Sequence, residues 1–341
     1  MRSLGLWSPR AASPGDVVAH LTAMQAQEHA YALWSIGQRM KGNTTRSAVA
    51  RAFDEGRFLR THLLRPTWHF VSPADLTWLM VLTGPRVIAR LARRYQELEL
   101  DGKMLAQAND VIAAAVAAGP LTRHDLVAAL ERRGISTGGQ RLPHMLMYAE
   151  LSSVICSGPL RGKQHTYARF DERVPPVAGP RGEEAVAELA LRYFTTRGPA
   201  TLRDFGWWSG LPAATARRGL ETAAPQLDSW TLDDRTYWFA GDAPAGRRPR
   251  IDLVQCYDEV IISYTQSRHV LRTPETAFEV PRHLHGFTHV VLAEGQLLGH
   301  WRPTAAGDGV RVAVRIAGPL DAHRRAALDE GIDRYRRFAE G

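Results

Sequence analysis

"GPLTRHDL" (Gly119 to Leu126) and "GPATLRDF" (Gly198 to Phe205) are the same phrase written twice, 79 residues apart. Each has Gly-Pro, then a threonine, then an aspartate three positions after it. Thr122 with Asp125, and Thr201 with Asp204, fit the capping box. In that motif a hydroxyl accepts from the backbone N–H three residues on, and a carboxylate reaches back to the cap's own N–H. Each copy therefore predicts the start of a helix.

The surroundings repeat as well. An apolar helix over about 105–118 precedes the first copy. A second helix near 138–150 and a hairpin over 151–170 follow it. Around the second copy the order is a helix over about 183–196, the capped helix, and a helix starting after Pro212, read as a first-turn proline. Then comes "LDSWTLDDRTYWFA", two strands around the turn signal Asp233-Asp234. Three helices followed by a two-stranded wing describe a winged helix, a helix-turn-helix variant.

The first hundred residues carry a looser third version. Val17, Val18, Leu21 and Met24 share one helical face, and Leu33, Ile36, Gly37 and Met40 another. Thr44 or Thr45 caps a helix that Gly56 stops, strands over 57–63 and 67–71 form a wing, and Ser72-Pro73-Ala74-Asp75 caps the next helix. Beyond about residue 246 the pattern changes. The basic "GRRPR" reads as a linker, then "IDLVQCY", a hairpin over 287–301 turning at Glu294-Gly295, "VRVAVRI", and a last helix over about 320–338. The fold class is α+β: tandem winged-helix modules over 1–100, 101–178 and 179–245, with a small α+β unit over 246–341.

Bulk properties narrow the function. A chain of 341 residues with 45% hydrophobic content can fill several cores. Its longest apolar run, "VIAAAVAA" (111–118), is far short of the roughly 20 residues that cross a bilayer, so no membrane span is expected. The N-terminus makes a poor signal peptide. Cys156 and Cys256, in apolar strand-like contexts, read as buried free thiols of a reducing cytoplasm. A net charge of +8 and a pI near 9.8 make a polyanion the natural partner. Arginine supplies all but three of the 43 basic residues, and its planar fork suits phosphate oxygens.

The candidate chemistry lies in "VVAHLTAMQAQEHAYALW" (17–34). On one helix Gln25 and Gln27 would point about 200° apart, whereas in extended chain residues i and i+2 share a side. The apolar face of the second half does not continue the phase of the first, so a break is expected between them. The two residues read either as a polar helix end or as two amides aimed at one target. Glu28 and His29 follow directly and are alternative bases. On the strand 67–71, Thr67, His69 and Val71 face one way. Trp68 and Phe70 face the other, most simply into the core.

"MQAQ" before an aromatic-rich helix, "RPTWHFVSPADLTWL" (65–79), "YDEVIISYTQSR" (257–268) and "THVVLAEGQLLGHWR" (288–302) together resemble the AlkZ-like (YcaQ-related) winged-helix DNA glycosylases over nearly the whole chain. That family carries Gln-x-Gln or Gln-x-Asp, then an Arg-Gly-Thr-Leu-His-like wing. The resemblance implies hydrolysis of the N-glycosidic bond of alkylated purines, crosslinked ones included, in duplex DNA. Gln25 and Gln27 would be the catalytic residues that position water, with no cofactor. A glutamine amide is no base near neutral pH, but it both donates to and accepts from water. A purine alkylated at N7 or N3 is already cationic and leaves without strong acid. Forgoing a true base gives up about 10² to 10⁴ in rate, which spares normal nucleosides.

Departures from the family pattern are Pro66 for the wing glycine, Ser263 for a glycine and Ser267 for a late aspartate, in a closing segment that also holds Asp258, Glu259 and Tyr264. Arg65, Thr67, His69, Arg141, Arg161, Lys163, Arg169 and Arg268 are the DNA-binding candidates. Most of them would hold phosphates and fix register without reading sequence. His283, His285, His289 and His300 lack cysteine or carboxylate companions at ligand spacing, so they are read as packing or solvated residues and no metal is expected. Three unequal modules in one chain suggest a monomer acting on damaged duplex DNA in the cytoplasm, at the nucleoid. The rival reading is a winged-helix DNA-binding regulator without enzymatic activity.

Overall fold

The computed structural model describes residues 1–241, 250–271, 289–307 and 309–341. The first unit runs α1 (Pro14–Leu21), β1 (Ala23–Gln25), α2 (His29–Gly37), α3 (Arg46–Asp54), β2 (Leu59–Leu63) and β3 (Thr67–Val71). Its sheet has the order β1-β3-β2, antiparallel throughout. Thr45 is the α3 cap, accepting from the Ala48 N–H, and Gly56 turns the chain away at φ 76°. Two helices, α4 (Pro73–Arg90) and α5 (Ala92–Glu97), lead out.

The second unit repeats the order as α6 (Gly102–Val116), β4 (Leu121–Thr122), α7 (Arg123–Glu131), α8 (Arg141–Leu151), β5 (Ile155–Ser157) and β6 (Thr166–Arg169), with sheet order β4-β6-β5. After the short α9 (Phe170–Arg173), the third unit runs α10 (Gly182–Arg197), α11 (Leu202–Ser209), α12 (Ala213–Ala223), β7 (Asp228–Leu232) and β8 (Arg235–Phe239). A single bridge from Ala200 to Trp238 stands where the other two units have their first strand. Both quoted phrases form full capping boxes, Thr122 with Asp125 and Thr201 with Asp204. The Asp233-Asp234 turn has both residues at positive φ, 49° and 58°, which is the twist that two-residue hairpins require.

The C-terminal part is β9 (Ile251–Val254), α13 (Glu259–Ile262), β10 (His289–Ala293), β11 (Gln296–Ala306), β12 (Gly309–Ile316) and α14 (Ala322–Glu340). Its sheet, ordered β12-β11-β10-β9, is antiparallel. The expected hairpin start at 287–288 and most of the "GRRPR" linker, 246–249, lie outside the described residues.

Differences from the sequence reading have local causes. β1 and β4 are too short to show a period-two pattern and exist because the last strand of each unit pairs with them. Helix α8 starts at Arg141 instead of 138 because Gly139 sits at φ 59°. Pro212, extended at ψ 146°, is the residue before α12 and not its first turn. Asp75 does not close a capping box. Its carboxylate accepts from Trp78 Nε1 and from Arg192 of α10, so a tertiary ion pair has claimed it.

Three cores result. One joins the helices of the first unit to the C-terminal sheet and α14, one lies between the first sheet, α4 and the third unit, and one fills the second unit. The first sheet is therefore covered on both faces. Met24, Ala26 and Phe70 enter the first core, while Ala23, Leu59, Leu63 and Val71 enter the second. An isolated unit of this kind would leave that second face to solvent.

Candidate active site

The glutamine segment breaks as the phase of the apolar residues predicts, but earlier: Met24, expected on the helical face of Val17, Val18 and Leu21, lies in a strand. Thr22 takes φ 63°, which ends α1, and the next three residues are extended as β1. Ala23 lies opposite Val71, Met24 opposite Phe70 and Gln25 opposite His69, and the Ala26 N–H donates to Trp68 O at 2.7 Å. Strand alternation then sends Met24 and Ala26 toward the helices and puts Gln25 on the opposite face. There Gln25 is 7% exposed, beside His69 and, across β3, Thr61.

Gln25 is fixed at both ends. Arg65 Nη2 donates to its Oε1 at 3.0 Å, and its backbone N–H donates to Glu259 Oε1 at 2.8 Å. Glu259, from α13, also accepts from Arg197 (2.7 Å from Nη2), Trp208 Nε1 (3.0 Å) and Ser263 Oγ (2.6 Å). Arg197, at the end of α10, donates in turn to Leu21 O (3.0 Å) and Ala23 O (2.8 Å). This ion pair is fully buried, and the hydrogen bonds around it offset the cost of removing two charges from water. It clamps the strand that carries Gln25 to both the third unit and the C-terminal part. Glu259 is thereby saturated and is no free base.

His69 is fully buried, and one ring nitrogen, Nδ1, lies 2.9 Å from Thr67 O. A carbonyl only accepts, so Nδ1 carries the hydrogen and Nε2 presents a lone pair. Burial, and then the Arg65 cation, hold its pKa well below the usual histidine value, which keeps the ring neutral. Its Nε2, Thr61 Oγ1, Thr67 Oγ1, Gln27 Oε1 and Arg65 Nε are buried with no hydrogen-bond partner among the described residues. Buried polar atoms left in this state are expensive unless water or a ligand satisfies them.

Gln27 is half-buried in the bend before α2. Arg60 holds this bend from β2, donating to Ala26 O (2.9 Å) and Gln27 O (3.3 Å). Its guanidinium carbon lies 4.3 Å from the centre of Trp68, and burial lowers its pKa to about 10, so it stays charged at neutral pH. Trp68 therefore packs on Arg60 and on His62 (4.5 Å between centroids), half-buried, while only Phe70 of the pair joins the apolar core as expected. His62 bonds Glu150 of α8. Of the alternative bases, His29 packs against Phe53, Phe70 and His165. Burial, then His165 and Arg60, push its pKa down to about 3. Glu28 precedes α2 without a side-chain capping bond, and burial raises its pKa.

The DNA-binding candidates are brought together only in part: the Arg268 charge acts on Arg65, whereas Arg141, Arg161, Lys163 and Arg169 belong to the second unit. Arg65, Thr67 and His69 line the glutamine site. Arg141 is occupied by backbone carbonyls, those of Leu98, Glu99 and Ser136. Arg161 bonds Asp125 and Pro120 O, and Arg169 pairs with Asp171 and Glu172. Lys163 is exposed on the β5–β6 hairpin. Arg268 donates to Tyr264 O at 2.6 Å. His289 accepts from the Cys256 N–H and His300 lies at 3.3 Å from His289 O, whereas His283 and His285 lie outside the described residues. Both cysteines are buried free thiols whose pKa burial pushes up to about 12. Among the described residues no helix is long and apolar enough to cross a membrane.

A family model described as "DNA glycosylase AlkZ-like" matches residues 18–338. The chain belongs to the AlkZ-like DNA glycosylase family. The solved structure of Streptomyces sahachiroi DNA glycosylase AlkZ superposes with a TM-score of 0.77 at 19% sequence identity, covering 98% of this chain and 95% of that one. At that identity the likeness is one of fold. No curated protein matches. Within this AlkZ-like chain, Arg197, Arg60 and the clamping role of Glu259 were not legible from sequence. Arg197 sits immediately before the second Gly-Pro phrase and Arg60 begins the polar run Arg60-Thr61-His62, and neither position says that the side chain turns inward.

Proposed function

We propose that this chain is a monofunctional glycosylase that hydrolyses the N-glycosidic bond of N7- or N3-alkylated purines, crosslinked ones included, in duplex DNA. The observation that carries the reading is the fixed Gln25 amide. With Oε1 held by Arg65, its Nε2 is left to donate, and Gln27 Oε1 and His69 Nε2 are bare acceptors. A water held by these groups keeps a lone pair for C1′. As the C1′–N bond breaks, its electron pair goes to the departing purine and neutralises it. The water oxygen bonds C1′, its proton leaves by way of the acceptors, and an abasic site remains. No strong base is needed, because the leaving group is already cationic and the sugar is oxocarbenium-like. All three lysines, Lys41, Lys103 and Lys163, are exposed, which speaks for water over a covalent amine intermediate.

In this reading residues 1–100, 101–178 and 179–245 are winged helices and 246–341 is a supporting unit. Lys163, Arg161 and Arg169 face the phosphates, and the protein acts as a monomer in the cytoplasm. The test is release of 7-methylguanine from duplex DNA. Wild-type protein frees the base, and Gln25→Ala with Gln27→Ala abolishes release while duplex binding persists. Release that survives the double substitution refutes the role of the glutamines, and no release by wild type refutes the activity.

A further inference from the structure

Trp207 and Trp208 are neighbours on α11 with opposite fates. Trp208 is fully buried and donates to Glu259, whereas Trp207 is 48% exposed. Exposed tryptophans need no explanation singly, but Trp207 is held in place. Its Nε1–H donates to Ile262 O at 3.1 Å, which orients the indole and leaves part of the ring surface bare. Its ring centre lies 5.7 Å from the guanidinium carbon of Arg65, the residue that fixes the Gln25 amide. Gly210 keeps α11 against the turn of the first hairpin: it sits at φ 69°, and a Cβ there would come 2.6 Å from Leu64 O. The other large exposed aromatic among the described residues, Trp230, packs on Phe239 in the β7–β8 hairpin.

We propose that Trp207 is the stacking platform for the alkylated purine, a specificity residue of the glycosylase site that rests on the function proposed above. A flat, electron-rich indole face, linked to the water-positioning amide through Arg65, suits a flat cationic base on the side of the ring that the Arg65 guanidinium does not cover. It binds that base by stacking and by attraction of the cation to the ring quadrupole, and it gains less from a neutral purine. Because the ring is already oriented, little freedom is lost on binding. Stacking of a base on an aromatic side chain corresponds to about 5- to 150-fold in affinity.

Single-turnover release of 7-methylguanine from duplex DNA tests this. Trp207→Ala is expected to raise the protein concentration needed for half-maximal rate by about 5- to 150-fold, with unchanged thermal unfolding, and Trp207→Phe to recover most of the loss. Tryptophan emission supplies a second readout. A 2′-fluoro-stabilised 7-methylguanine duplex quenches wild type more than Trp207→Phe, and an undamaged duplex shows no such difference. Normal release by Trp207→Ala, or equal quenching by damaged and undamaged duplex, overturns the stacking role alone. Absence of release by wild type overturns the glycosylase reading and this inference with it.

Discussion

Arg65 separates positioning from DNA contact. It is half-buried, burial lowers its pKa, and it makes no ion pair among the described residues. Its guanidinium donates to Gln25 Oε1. Arg65→Met keeps much of the apolar stem and removes the guanidinium. A hydrogen bond from a charged donor contributes about 1.5–3 kcal/mol, and without it the Gln25 amide is free to rotate its donor away from the water. If that full amount is lost at the transition state, the maximal single-turnover rate falls by about 10- to 150-fold. Stability should fall by about 1–3 kcal/mol, because Gln25, 7% exposed, keeps its Oε1 buried without a donor. The slope of log affinity against log salt should not move, whereas loss of a phosphate contact would reduce it by about 0.9. Rates at saturating DNA, thermal unfolding and a salt titration measure the three quantities. An unchanged maximal rate together with a shallower salt slope would show that Arg65 holds DNA and that the Gln25 contact does no positioning.

Four further outcomes are expected. Glu259→Gln leaves Arg197 buried without its counter-charge and should cost about 3–5 kcal/mol, read as a drop in the thermal midpoint; an unaltered midpoint would mean the clamp is not strained by losing charge. Acid should destabilise the fold. His29, His165 and His289 have pKa values pushed down by burial to about 3, about 4 and about 4, so below their ordinary value near 6.5 the unfolded chain takes up protons that the folded chain refuses. Stability present above that value is lost as pH falls, by up to about 1.4 kcal/mol per pH unit for each ring, and denaturant titrations between pH 7 and pH 4.5 would expose a flat profile. Lys163→Ala should reduce the salt slope by about 0.9 with the saturated rate and unfolding unchanged, and an unaltered slope removes the β5–β6 hairpin from the DNA contact. Gly210→Ala forces a Cβ into a left-handed position against Leu64 O and should cost about 1–3 kcal/mol, whereas neutral behaviour in urea unfolding would show that the turn yields.

The sequence by itself determined the repeated units. Capping boxes, helical periodicity and turn dipeptides are local, so Thr122 with Asp125, Thr201 with Asp204 and Asp233-Asp234 could be read from neighbours along the chain. That α1 and α2 are separate was legible too, as a slip in phase between the apolar residues up to Met24 and those from Leu33, although the helix ends at Leu21, before Met24. What surrounds Gln25 was decided only in three dimensions, because every group that holds it comes from far along the chain: Arg65 from the first hairpin, Arg197 from the third unit, Glu259 from the C-terminal part. Nothing in a strand's alternation says whether its second face meets water or another unit, and here the third unit covers it. That burial is what turns Gln25, and an otherwise ordinary strand histidine, His69, into an oriented donor beside a bare acceptor.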